Sequence, residues 1–242
     1  MKTIPSLLVA LALGIGSAHG WFGRETRSGD YSQLMRLWGD RPFSAKVVVQ
    51  QVDKKGRATE LAQSEYAYSK GRLRVEMRMG ETAAGQKRKK AADEMAGLGM
   101  DHIVMLMLPQ EKGPFMIYPG LAAYCLLEER SVGDETGLEP KITRQELGKE
   151  TVEGRECIKS LVTIEDGENK FQITVWEAID LNRFPIQTEM TEDGTLIRTT
   201  FKDLKLAAPP EGLFELPKGF TRYNSVQEMM MGAMQRMLGG GE

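Results

Sequence analysis

The chain has 242 residues, of which 41% are hydrophobic and 27% charged, the make-up of a globular protein long enough to bury a substantial core. Its 32 basic and 34 acidic residues leave a net charge of −2, so no long-range field draws it to nucleic acid. Two histidines, His19 and His102, exclude most histidine-dependent catalysis and His-rich metal sites.

Lys2 is followed by a mostly apolar run from Ile4 to Ile15, then by the small residues of Ser17-Ala18-His19-Gly20. This is the form of a secretory signal peptide over residues 1–20, cleaved after Gly20. The alternative, an uncleaved anchor, has an apolar run that is short for a bilayer. No cysteine follows it to carry a lipid anchor. The expected product starts at Trp21, is exported to the periplasm and is soluble, without an integral membrane segment. Residues 21–42 read as a loose segment and a short helix, Tyr31 to Trp38, capped by Asp30 and ended by Gly39-Asp40-Arg41-Pro42.

From Phe43 the pattern has period two. Phe43, Ala45, Val47 and Val49 alternate with polar residues, and Leu73, Val75, Met77 and Met79 alternate with Arg72, Arg74, Glu76 and Arg78. The second run predicts a strand with one apolar, buried face and one charged face toward water. Ile158, Val162 and Ile164, and Phe171, Ile173 and Val175, repeat the pattern. Asp53-Lys54-Lys55-Gly56, Lys70-Gly71, Asp166-Gly167 and Asp193-Gly194 supply hairpin turns between such runs. About ten or eleven strands result, with too little chain between them for crossover helices, so the sheet is expected to be an antiparallel meander in one domain.

Three stretches depart from this rhythm. Residues 80–99, rich in lysine and alanine, read as a helix or a loop inserted between strands, and their basic run Lys87-Arg88-Lys89-Lys90 as a solvated surface. His102 to Leu108 is apolar on both faces, so Ile103, Met105 and Met107 are either covered like their neighbours or look into a dry cavity. Residues 225–242 form a helix opened by the capping box Ser225…Glu228, carrying Met229, Met230, Met231, Met234 and Met237, and stopped by Gly239-Gly240-Gly241. It reads as packed on the sheet, as a lid over an apolar cavity, or as a tail; methionine suits a surface that adapts to varied apolar partners.

The cysteines number two, Cys125 and Cys157, both in strand-like contexts. In an oxidising compartment they predict a single disulfide joining neighbouring strands; the alternative is two separate buried thiols.

Pro114 to Tyr124 resembles the "iyP…k.Y" strand pair of the LolA/LolB-like superfamily, closest to its uncharacterised exported domains. Gly148 to Cys157 resembles their "G-x-E-x-(V/I)-x-G-x-x-C" strand and turn. Val175-Trp176-Glu177 with Phe184-Pro185-Ile186, and Leu213 to Phe220, are similar to the family's "W…P" strands and closing "lFeiPkGy". The resemblance runs from about Phe43 to Tyr223 and implies a mainly β fold over residues 43–224. That fold is a strongly curved antiparallel sheet, an unclosed barrel, with an N-terminal and a C-terminal helix. It further implies an apolar interior that accepts acyl chains, here lined by Leu73, Val75, Met77, Met79, Ile103, Met105, Met107, Met230 and Met234.

A catalytic reading has little to stand on. His102 begins the most apolar strand without a Gly-x-Ser-x-Gly element, no Gly-rich phosphate loop precedes a helix, and no metal-ligand spacing occurs. No cofactor is expected. The expected function is an exported carrier or chaperone of lipid or acylated protein; the alternative is a non-catalytic envelope scaffold with a filled core.

Overall fold

The computed structural model describes residues 38–79, 89–127, 141–166, 169–192 and 194–239. The expected leader, the short helix before Trp38 and the Lys87-Arg88 half of the basic run lie outside them, as does the side chain of Met234.

Alternation and turn chemistry set the elements. β1 (Phe43–Val52) and β2 (Ala58–Ser69) join through a turn that Asp53 holds, its carboxylate accepting from the Lys55 and Arg57 backbone N–H groups at 2.8 and 2.9 Å. β2 and β3 (Arg72–Arg78) join through Lys70-Gly71, both at positive φ (54° and 72°), the conformation a two-residue hairpin needs and glycine adopts without strain. Then come α1 (Lys89–Gly97), β4 (His102–Met107), β5 (Phe115–Tyr118), β6 (Ala123–Leu126), β7 (Lys141–Val152), β8 (Arg155–Asp166), β9 (Asn169–Ala178), β10 (Phe184–Glu192), β11 (Thr195–Lys205), β12 (Thr221–Tyr223) and α2 (Val226–Gly239).

The strands form one sheet of twelve, in the order β12-β6-β5-β4-β3-β2-β1-β11-β10-β9-β8-β7. All the pairings are antiparallel except β12 with β6. Its two edge strands, β12 and β7, do not pair with each other, so the barrel is unclosed. The fold is therefore the mainly β, open-sheet architecture expected, with twelve strands among the described residues where ten or eleven were expected.

The expected register of β3 is present: Leu73, Val75 and Met77 are buried, and Arg72, Arg74, Glu76 and Arg78 lie on the other face. That charged face is not simply open to water. The short 3-10 turn Glu211–Phe214 crosses it, Arg72 pairing with Glu211 at 2.6 Å and stacking 4.5 Å from the Phe214 ring.

The expected disulfide is not formed. Cys125 and Cys157 are both buried free thiols. β6 is second and β8 eleventh across the sheet, so the two are not on neighbouring strands. Period-two runs identify strands but not their lateral order, and with β1 paired to β11 eight strands stand between these cysteines.

Candidate functional site

One face of the sheet carries the helices and the main apolar cluster. Phe43, Ala45 and Val47 of β1, Tyr66 and Tyr68 of β2, and Leu73, Val75 and Met77 of β3 contribute side chains at every second position. Ile103 and Met105 of β4, Met116 and Tyr118 of β5, and Trp176, Phe184 and Phe201 beyond β1 extend the same surface. Trp38 stands over its centre, edge-on to Phe43 at 5.1 Å, to Tyr68 at 5.8 Å and to Phe201 at 5.8 Å. Such edge-to-face pairs add to what area burial alone contributes.

The cover over the methionine-lined half comes from two short elements. α1 ends in a Schellman motif, with the Met100 N–H donating to the Met95 carbonyl (2.8 Å) and the Gly99 N–H to Ala96 (2.9 Å). The motif brings its two methionines, Met95 and Met100, together against the cluster. α2 begins at Ser225, whose Oγ accepts from the Glu228 N–H at 3.1 Å, while the Glu228 carboxylate reaches back to the Asn224 N–H at 3.0 Å. This cap sets the phase of the helix: Met229 is fully buried in the cluster with Val226 beside it, and Met230 and Met231 turn outward, 39% and 53% exposed.

Of the residues expected to line an apolar cavity, Leu73, Val75, Met77, Ile103 and Met105 are buried in this one cluster, with Met79 and Met107 packed at its margin. Met230 is not with them. Sequence reasoning missed Trp38, Met95, Met100, Met116 and Met229. Met229 was legible in principle, since Val226 and Met229 stand one helical turn apart on one face.

Strand β4 is covered on both sides, which answers its two-sided apolar pattern. Val104 and Leu106 face away from the helices, under Phe214 with Leu213, Leu216 and Phe220. A groove of about 360 Å³ remains there, between Val104 and Ile117 on the sheet and Leu216 and Phe220 of the closing segment.

No protein-family model and no curated protein matches the chain. Solved structures similar to it include MucB (15% identity, 80% of this chain and 65% of that one, TM-score 0.41). A LolA superfamily protein from Nitrosomonas europaea is 12% identical over 76% of this chain and 97% of that one, TM-score 0.35. The lipoprotein LppX of Mycobacterium tuberculosis is 12% identical over 76% and 99%, TM-score 0.37. The chain spans 65% and 60% of the two MucB chains it is similar to, less than two thirds of their length.

Polar groups bound the apolar face where β7, β8 and β9 meet. The Trp176 indole N–H donates to Glu150 at 2.8 Å, and the Lys159 ammonium donates to the same carboxylate at 2.7 Å while lying 4.9 Å from the Trp176 ring centre. The Lys159 hydrogen bond, then that from Trp176, holds the Glu150 carboxyl below its ordinary pKa. On the helix-free side of β3, Glu76 accepts from Arg74 at 2.7 Å and contacts His102 Nε2 at 2.7 Å. His102 is thus a partner of a charged pair beside a sheet strand. Among the described residues no group of three or more His, Cys, Asp and Glu side chains is placed to hold a metal ion. No helix there is long and apolar enough to cross a membrane.

Proposed function

We propose that the helix-bearing face binds an apolar chain, a lipid or the acyl group of an acylated protein, and that the protein acts as its carrier or chaperone. The observation that carries this reading is the methionine content of the cluster. Met77, Met100, Met105, Met116 and Met229 are buried in it, and Met79, Met95 and Met107 pack at its edge. A core built for one fixed packing favours branched and aromatic side chains with defined rotamers; a surface that must fit varied chains favours the flexible, polarizable thioether. The cover supports the reading too, since α1 and α2 place only a few side chains each into the cluster. Withdrawing them would open the face without breaking a strand ladder.

A second reading has its own support. Leu73, Met105 and Met229 are each at most 1% exposed, which is the packing of a filled core and suits a scaffold without cargo. Titration of the full chain with an environment-sensitive fatty acyl probe separates the two. Saturable binding that unlabelled fatty acid displaces supports the carrier; absence of saturable binding supports the scaffold.

A further inference from the structure

Tyr118 closes β5 on the helix-bearing face. It belongs to the apolar cluster, with Met116 two positions earlier on the same face and Ala123 directly opposite on β6. The residue is 5% exposed. Two positions on, Gly120 meets Gly99 at the end of α1. Tyr118 thus lies where the cover over the methionine-lined half is anchored.

Among the described residues nothing hydrogen-bonds the Tyr118 hydroxyl. Its pKa is pushed up to about 12, by burial first and then by Cys125, with no hydrogen bond contributing. An unpaired hydroxyl in apolar surroundings costs free energy that a phenylalanine at the same place would not. Yet this hydroxyl is not sealed in. The one sealed side-chain nitrogen or oxygen left without a partner among the described residues is Arg72 Nη2, on the other face. Tyr118 therefore keeps a donor that has no protein acceptor and that a water-sized group can reach.

The surroundings decide which acceptor suits it. No cation figures among the groups that act on Tyr118. An ionised carboxylate brought here would exchange its hydration for a single phenol donor, a costly step. A neutral carbonyl loses far less on leaving water and accepts the same bond.

Resting on the apolar-ligand reading above, we infer that Tyr118 donates its hydroxyl to the carbonyl oxygen of an esterified acyl chain, so that the face selects acyl esters over free fatty acids. The chain lies on the methionine-lined cluster, and the ester linkage sits beside the end of α1.

Tyr118→Phe removes the hydroxyl and keeps the ring. The test follows displacement of an apolar dye from the full chain by a fatty-acid methyl ester, by the ionised acid and by the alkane of the same chain length. Wild type is expected to bind the ester about tenfold or more tightly than the acid. In Tyr118→Phe the ester affinity falls about fivefold, the worth of one hydrogen bond, while the alkane keeps its wild-type affinity. The melting temperature of the variant should equal or exceed that of wild type, because no hydrogen bond within the protein is lost. A clear drop would reveal a structural partner for the hydroxyl and overturn the inference. Unchanged ester affinity in the variant overturns the Tyr118 contact and leaves the apolar-ligand reading standing. An acid bound by wild type as tightly as the ester overturns the selection of esters. Displacement by none of the three overturns both the contact and the reading on which it rests.

Discussion

Gly120 backs onto Gly99 so closely that a β-carbon on Gly120 would stand 2.5 Å from the Gly99 carbonyl oxygen. Gly99 closes α1 at φ 69°, and Gly120 sits in the corner between β5 and β6. This backbone contact fixes the end of α1 against the sheet and so holds Met95 and Met100 over the apolar face. Gly120→Ala is expected to destabilise by about 1–3 kcal/mol through overpacking, read as a lower melting temperature. Because the first thing to shift is the cover, affinity for an acyl probe should rise; lowered stability with unchanged probe affinity would separate α1 from the binding face.

The C-terminal helix offers a contrast between adjacent residues. Met229→Ala removes a fully buried side chain and is expected to cost about 2–4 kcal/mol, whereas Met230→Ala, 39% exposed, should fall within about 0.5 kcal/mol of wild type. Ser225→Ala removes the cap and should cost about 1 kcal/mol. Urea unfolding of the three variants checks the order; equal losses for Met229 and Met230 would mean that α2 does not pack in the observed phase.

The thiols should be free and slow to react. Burial pushes the Cys125 thiol up to about 11, and burial raises Cys157 as well, so little thiolate exists near neutral pH. Protein prepared without reductant is expected to show two titratable thiols after denaturation and almost none before. Finding none after denaturation would establish the disulfide that the structure lacks.

Glu76 gives the fold an acid limit. Burial disfavours its charged form, but hydrogen bonds from Arg74 and His102 and their charge outweigh burial, so its pKa lies below the ordinary 4.5. A carboxyl lowered in the folded state contributes stability that is complete above the unfolded value and is lost as pH falls through the folded one. Chemical denaturation of wild type should therefore show stability falling below about pH 4.5. Glu76→Gln should be less stable at neutral pH and lose less on acidification; parallel pH profiles for the two would contradict this assignment.

What could be read in advance follows from how far apart the cooperating residues lie. The faces of β3, the Lys70-Gly71 hairpin and the Ser225 cap are each decided within a dozen residues, and each is in the structure as expected. β7 carries no apolar alternation because almost its whole length is exposed at the sheet edge, so its residues give no periodic signal. The order of strands depends on β1 closing against β11, about 150 positions on, which no local pattern encodes. For the same reason the cysteines looked like neighbours. Within the cluster, the burial of Leu73, Val75 and Met77 was legible from alternation, and that of Ile103 and Met105 from a strand apolar on both faces. Its cover by Trp38 and Met100 was not, because a single inserted side chain has no period.

The central claim is that the helix-bearing face holds an apolar ligand, and native mass spectrometry of the full chain purified without detergent, followed by organic extraction, tests it most directly. The expected spectrum contains a species heavier than the chain by the mass of a lipid. That mass should disappear on denaturation and be recovered in the extract. A spectrum showing only the unliganded chain, from protein that also fails to take up lipid when mixed with vesicles, would contradict the claim.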